Sequence, residues 1–472
     1  MPFLSRVWKP PARMFLVAFV VRLALILLAG TYHLNPAREH WRFGWEIGRV
    51  ARSIALGQGF SSPFQGQTGP TAHFVPLYPY LLAGVFKLFG VYSDASALAI
   101  MSLNSLFSAL TCVIVFYIAE KAFSRGVANV AAWIWAFHPL ALYVSAKVVW
   151  DTTLSVPIVS CLLLAALRVQ QSKRARAVAW AAFGLLWGVA AMNNPSVIAV
   201  LPPLFVWLWH RQVQNDAAWE PGSARVLESA SRNADAGLPS LTGSNVHSDR
   251  SRAIMRATYL AGILVLIFVL CLAPWTLRNY AVFHRFIPLR SNFWLEMHIG
   301  NNALATGTPT LVLHPSHNEK ELAEYRRLGE TAYLAEKKGE ALYYMKQNPG
   351  RFLWLTLTRI ALWWSGGFEL CGPNRLGIWL CGLTLFGVTM QSFLGFLGLT
   401  LMFRQCKVEA PAFAFFLLFY PLTYYFIFAH RRYSHTLDPI TLMLGVFAVQ
   451  QAFASRKARQ PVSAPQQYVA DG

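Results

Sequence analysis

The sequence predicts an all-α polytopic membrane protein, and three observations carry that prediction. Of its 472 residues 55% are hydrophobic and only 13% are charged, whereas a soluble domain carries about 25% charged residues. Apolar runs such as 14–30, 257–275 and 411–429 recur along the chain, each near the ~20 residues that cross a hydrocarbon core at about 1.5 Å per residue. The 41 Lys and Arg outnumber the 21 Asp and Glu, giving a formal charge of +20. Membrane orientation and anionic headgroups account for much of that excess, so no nucleic-acid partner is expected.

Ten spans are expected, near 14–33, 96–119, 127–144, 152–168, 177–192, 195–209, 257–275, 378–402, 411–429 and 435–455. Arg6, Lys9 and Arg13 precede a long first run with no small-residue cleavage site, which reads as an uncleaved signal anchor. Segment 77–90 is too short to span comfortably, and 351–367 carries Arg351 and Arg359, costly at mid-bilayer. Both therefore read as interfacial or re-entrant. That topology puts both termini in the cytoplasm of a plasma (inner) membrane. Lys121, Arg125, Arg168, Lys173, Arg174, Arg176, Arg404 and Lys407 fall on the same side. Were 77–90 to cross, the cluster after Arg168 would be translocated, against the positive-inside rule.

The expected division follows from these spans. A transmembrane module 1–209 includes a first extracytoplasmic loop, 34–95. A flexible cytoplasmic linker rich in Ser, Asn, Ala and Gly covers 210–256, followed by a helix at 257–275. A small extracytoplasmic helical domain occupies 276–350, where Asn318 with Glu321 caps a helix running on to Met345. A C-terminal transmembrane module, 351–455, and a cytoplasmic tail, 456–472, complete the chain. No repeat of fixed period and no pair of broken transporter-type helices is evident. The six cysteines show no CxxC, and Cys112, Cys161, Cys271 and Cys381 lie in apolar runs as expected free thiols.

The first loop carries the most chemistry. At 100° per residue Phe43, Ile47, Val50, Ala51 and Ile54 share one helical face, and Arg42, Glu46, Arg49 and Ser53 share another. This predicts an amphipathic helix lying on the outer leaflet. Its charged face is either simply solvated or a binding surface. Arg38, Arg42, Arg49 and Arg52 favour binding, because they cluster on the side that should be poor in cations and suit a lipid phosphate. Glu46 is the only carboxylate between residues 40 and 93; flanked by cations, it is expected to be ionised and able to accept a proton. Asp151 is the second acid, near Lys147 in a short loop on the same side; the alternative is that it only caps the helix it opens. Three further stretches reach that surface: Trp275–Tyr280 with Arg278, Arg290–Glu296 with Gly300–Asn302, and His430–Tyr433 with Arg432. No cofactor is expected. A divalent metal is the alternative, but His73, His298, His314 and His317 match no ligand spacing.

These residues resemble the bacterial protein O-mannosyltransferase and aminoarabinose transferase superfamily, integral-membrane glycosyltransferases of the C-type fold. The resemblance rests on an acid soon after the first helix, then Ala51, Leu56, Gly59 and Phe60, Pro76-Leu77-Tyr78-Pro79 and Phe86-Lys87-Leu88-Phe89-Gly90. It continues in Ala146-Lys147-x-x-x-Asp151-x-x-Leu154 and in Arg432-Tyr433 before the last helix. It implies a sugar passed with inversion from a polyprenyl-phosphate donor to an extracytoplasmic acceptor: a protein hydroxyl, a lipid or a glycan. It implies Glu46 as general base and Asp151 in a supporting role. Lys147, Arg278, Arg432 and Tyr433 would hold the leaving phosphate, and Arg42 and Arg49 the lipid headgroup. Glu46 is followed by Ile47 rather than preceded by Asp, and His73-Phe74-Val75-Pro76 replaces Glu-Lys-Pro-Pro, so neither branch's substrates carry over. The alternatives are a lipid-linked sugar transporter or flippase, which would place its acids nearer mid-bilayer, and a polysaccharide ligase or polymerase.

Overall fold

A computed structural model describes residues 10–34, 43–172, 176–217, 243–367 and 375–459. Arg38, Arg42 and the middle of the expected linker lie outside the described residues. Among the described residues the regular elements are helices, with one isolated β-bridge between Ser61 and Pro70. In order the helices are α1 (Pro10–Leu28), α2 (Trp45–Ala55), α3 (Leu77–Phe89), α4 (Asp94–Ala122), α5 (Arg125–Ala136) and α6 (Pro139–Lys147). Next come α7 (Thr152–Gln171), α8 (Ala177–Ala191), α9 (Leu201–Ala217) and α10 (Gly243–Phe283), then α11 (Phe293–Gly300), α12 (Glu319–Leu328) and α13 (Glu330–Gln347). The last are α14 (Pro349–Ser365), α15 (Arg375–Arg404), α16 (Ala410–Phe419), α17 (Leu422–Phe426), α18 (Arg431–Ser434) and α19 (Asp438–Arg459).

Each expected apolar run is helical over most of its length. Among the described residues six helices are long and apolar enough to cross a membrane, or seven if α5 and α6, bent by 45°, form one span. Leu77–Phe89, Ala177–Ala191 and Ala410–Phe426 are apolar but shorter. The helices α1, α4, α5, α7 and α19 pack into one bundle around buried Trp135, and α8, α9 and α10 form a second group around Trp180 and Trp187.

The break between α5 and α6 has a local cause and a remote repair. Pro139 cannot donate a backbone hydrogen bond, so the carbonyls at the end of α5 lose regular helical partners, and only the Trp135 oxygen gains a turn bond, from His138 N–H at 3.2 Å. Arg22, buried in α1, adds donors there: its guanidinium donates to the Ala136 oxygen at 2.8 Å and the Trp135 oxygen at 3.3 Å, and Nε donates to Ser108 Oγ at 3.0 Å. Arg359 does the same elsewhere, donating to Phe426 O at 2.9 Å, Asn301 Oδ1 at 3.1 Å and the Gly300 carbonyl. It thereby ties α14 to the ends of α11 and α17. Intramembrane charge is tolerable where it satisfies backbone in this way.

Several expectations are corrected. The 210–256 linker is helical at both ends, because α9 runs to Ala217 and α10 starts at Gly243 and continues through Phe283; polar composition there does not stop a helix already propagating from an apolar core. The helix capped by Asn318, whose Oδ1 accepts from Lys320 and Glu321 N–H, ends at Leu328 instead of running to Met345. Gly329, at φ 74°, turns the chain and aims Glu330 inward. Of the two readings of the charged face of α2, simple solvation does not hold, since Glu46 and Ser53 are buried along with Ile47 and Val50. Cys112, Cys161 and Cys271 are free thiols as expected, whereas Cys381 is disulfide-bonded; an apolar run locates a sulfur without revealing its oxidation state.

Glycine sets the close contact between α15 and α19. A Cβ on Gly398 would lie 2.1 Å from the Leu444 carbonyl, whereas one on Gly382 would meet nothing within 4 Å. Gly398→Ala should destabilise the detergent-solubilised protein by about 1–3 kcal/mol, read as a lower thermal unfolding midpoint. Gly382→Ala, with open space and better helix propensity, should be neutral or stabilising.

Candidate active site

Helix α2 places Glu46. Gly44 enters the helix with φ 88°, and a Cβ there would lie 2.8 Å from the Val149 carbonyl, so only glycine lets the first loop approach the 148–151 turn this closely. Phe43, Ile47 and Ala51 pack against Leu82 and Phe86 of α3, which fixes the rotation of α2. Glu46 then sits in the first turn, where the helix dipole favours a carboxylate. A loop from the 276–350 region lies against it: Ser316 Oγ donates to Glu46 Oε1 at 2.6 Å, and His314 Nδ1 is 3.9 Å from the same oxygen. Burial lowers the His314 pKa against the pull of Glu46. The charge of Arg49 acts on Glu46, His314 and His317.

Asp151 is held by a polar framework centred on Asn104. The Asn104 amide donates to Val148 O at 3.2 Å and its Oδ1 accepts from Thr153 Oγ1 at 2.8 Å and Tyr78 OH at 3.2 Å. Asn193 donates to the Asp151 backbone oxygen at 3.3 Å and to Ser155 Oγ at 2.8 Å. Although Asp151 stands at the start of α7, its side chain makes no capping hydrogen bond and lines a cavity instead. Burial raises its pKa to about 6, with Arg432 and Arg290 pulling the other way.

Arg432 comes from the short turn before α19. The Arg431 guanidinium donates to Asp438 Oδ2 at 2.6 Å and His435 Nδ1 meets the same oxygen at 2.6 Å, bracing the turn from below. The Arg432 guanidinium lies 4.1 Å from the centre of the Trp150 ring, and its Nη2 donates to Tyr433 OH at 3.1 Å. Tyr433 in turn stacks on Tyr424 at 4.7 Å.

The fourth contribution is the link between α10 and α11. Here Glu330 acts as a clamp: its carboxylate accepts from Ala72 N at 2.8 Å, Ser291 Oγ at 2.7 Å, Tyr325 OH at 2.8 Å and Thr71 Oγ1. Burial raises the Glu330 pKa and those four hydrogen bonds oppose the rise. Ser291 N also donates to Ala72 O at 2.8 Å. The clamp carries Arg290, Asn292 and Glu296 to the same cavity as Glu46.

Glu46, Asp151, Arg432 and Tyr433 thus meet on one cavity, whose wall also includes His73, Trp150, Asn194, Arg290, Asn292, Glu296, His314 and Tyr424. Not every expected residue joins them. The Arg278 guanidinium donates to Thr71 O at 2.6 Å and Phe60 O at 2.9 Å, lies over the Trp275 ring, and borders a separate apolar groove. Lys147 is exposed above Tyr143 and does not line the cavity, Arg49 stands behind Glu46, and Arg42 lies outside the described residues. The cations in the wall are Arg432 and Arg290. The latter was flagged in sequence only as part of a stretch reaching this surface; nothing in its spacing marked it. Phe74 stands at the lysine of the resembled motif and His73 at its glutamate; burial, then His314 and Arg290, hold the His73 pKa well below the ordinary histidine value. Among the described residues no group of three or more His, Cys, Asp or Glu is placed to hold a metal ion.

Glu330→Ala would leave four buried donors without an acceptor. It should cost on the order of 3 kcal/mol, measured by thermal unfolding, with Glu330→Gln intermediate because an amide oxygen still accepts.

Comparison with known proteins agrees with this architecture. Residues 70–226 match the family model for dolichyl-phosphate-mannose-protein mannosyltransferases. No curated protein sequence matches the chain. Among solved structures, the archaeal oligosaccharyltransferase AglB from Archaeoglobus fulgidus, in complex with an inhibitory peptide and a dolichol-phosphate, is similar with a TM-score of 0.51 and 12% identity, over 98% of this chain and 53% of that one. The Archaeoglobus fulgidus oligosaccharyltransferase in its apo form gives 0.50 and 12%, over 96% and 52%. The chain spans about half the length of these proteins, and the likeness is one of fold. The chain therefore has the C-type fold of membrane glycosyltransferases and matches, over residues 70–226, the dolichyl-phosphate-mannose-protein mannosyltransferase family.

Proposed function

We propose that the protein moves a sugar from a polyprenyl-phosphate carrier to an acceptor hydroxyl on the extracytoplasmic side of the membrane, with inversion at the anomeric carbon. The observation that carries this reading is the meeting of Glu46, Asp151, Arg432 and Tyr433, from three separate segments, on one cavity. The matched family is named for a mannosyl lipid phosphate, and one similar structure holds dolichol-phosphate; both support a lipid-phosphate donor. An apolar groove along Leu77, Val189, Met192, Cys271 and Trp275 borders Pro76, the residue after Val75 in the cavity wall, and offers the polyprenyl chain a seat.

In this reading Glu46 takes the proton of the acceptor hydroxyl. Ser316 Oγ, bonded to Glu46 Oε1, marks the position that hydroxyl takes once the loop yields. An oxygen lone pair forms the new bond to the anomeric carbon as the bond from that carbon to the phosphate oxygen breaks. The electron pair departs with the polyprenyl phosphate, whose charge Arg290 and Arg432 receive with the Tyr433 hydroxyl. Ionised Asp151, facing both arginines, holds them aligned.

Glu46→Gln should lower transfer by about 10²–10⁴-fold while leaving binding of bare polyprenyl phosphate unchanged; wild-type turnover in that variant overturns its role as base. The rate should climb as pH rises through about 6, because Asp151 must lose its proton to pair with the arginines. Asp151→Asn should reduce the rate and flatten that limb. An unchanged limb in the variant assigns the titration to another group.

A further inference from the structure

We propose that Asn292 and Glu296, one turn apart at the start of α11, grip a hydroxyl group of the transferred sugar. This rests on reading the cavity as a glycosyl-donor site. Both side chains line the cavity. Asn292 is 1% exposed, its Nδ2 donates to Glu296 Oε1 at 2.9 Å, and its Oδ1 is buried without a hydrogen-bond partner. A buried acceptor without a partner, on a residue that lines a cavity, is uncommon in a folded protein, and an arriving donor would satisfy it. His73, also in the wall, likewise has a buried Nδ1 without a hydrogen-bond partner.

The position of Glu296 selects the sugar over the phosphate or the acceptor. Its charge couples to Arg290 and Arg432, which would hold the phosphate, and to Glu46, the base. In an in-line inversion the sugar ring occupies the space between those two ends, so a group that faces both lies alongside the ring. The pair also suits a hydroxyl chemically. Asn292 Oδ1 accepts the hydroxyl hydrogen, while a protonated Glu296 donates to the hydroxyl oxygen.

Burial supports that protonation state, raising Glu296 to about 7, with Glu46 adding to the rise and Arg290, Arg432 and the Asn292 bond opposing it. Tyr433 also faces Glu296. From α13, packed behind α11, Glu340 pairs with His298, flanked by Lys337, and Lys338 lies over Trp294. A carboxylate kept neutral near pH 7 would add no repulsion toward the donor phosphate.

The test compares binding of short-chain polyprenyl phosphate, bare or carrying mannose, glucose, galactose or arabinose, to the full-length protein in detergent. The informative quantity is the sugar advantage, the ratio of affinities for the best glycosylated probe and the bare one. Glu296→Ala and Asn292→Ala should each cut that advantage by about tenfold, as loss of a hydrogen bond in a buried site does, with bare-phosphate binding unchanged. Glu296→Gln, which still donates, should retain most of it. The wild-type advantage should fall as pH rises past about 7, and Glu296→Gln should be flat there. An alanine variant with the full advantage, or a wild-type protein that gains nothing from any sugar, overturns the assignment. Transfer by Glu46→Gln reports separately on the base, so failure of the sugar grip and failure of the donor-site reading are distinguishable.

Discussion

The candidate site depends on the buried carboxylate of Glu330. Four donors from three segments converge on it: Thr71 and Ala72 from the first loop, Ser291 from the link after α10, and Tyr325 from α12. A carboxylate this buried is tolerable only when its lone pairs are filled. The requirement works in both directions, because the segments that fill it are thereby locked to one another. With the Ser291 N–H bond to Ala72 O and the Arg278 bonds to Thr71 and Phe60, that lock sets the first loop with Glu46 against the α10–α11 link with Arg290 and Glu296. Gly329 makes the lock geometrically available by ending α12 one residue before Glu330.

Buried arginines perform the corresponding task within the helices. Arg22 closes the break between α5 and α6, and Arg359 joins α14 to the ends of α11 and α17. Each donates to backbone carbonyls at helix ends, so the chain can break its helices there without stranding buried polar groups. The cavity itself holds three acids, Glu46, Asp151 and Glu296, against Arg290 and Arg432. Such a balance suits an anionic ligand only if one or more of the acids is protonated. The raised pKa of Glu296, caused first by burial, supplies that condition, while Asp151 stays ionised above about pH 6 to pair with the arginines.

Much of this was legible in sequence, for identifiable reasons. Hydropathy found the helices because membrane burial demands long apolar runs, and Glu46 stood out as a lone acid in a cationic loop. Asp151 and Arg432-Tyr433 stood out by motif. Arg290 and Glu296 received no role, because their importance comes from the Glu330 clamp, a contact between residues far apart in the chain. Arg278 is the reverse case. It carries the right charge at the right depth, but its guanidinium is committed to the Thr71 and Phe60 carbonyls. Charge can be read from sequence, whereas whether a charge is already occupied cannot. The division of the helix after Asn318 was missed for a similar reason: a glycine inside a helical pattern signals a break only when something beyond it must be aimed.

The most direct measurement of the central claim is an experimental structure of the protein with a polyprenyl phosphate bound. The account predicts the phosphate between the guanidinium groups of Arg290 and Arg432, within hydrogen-bonding distance of both, with Glu46 facing it across the cavity. A phosphate seated on Arg278 or Lys147, with the cavity between Glu46 and Asp151 left empty, would contradict it.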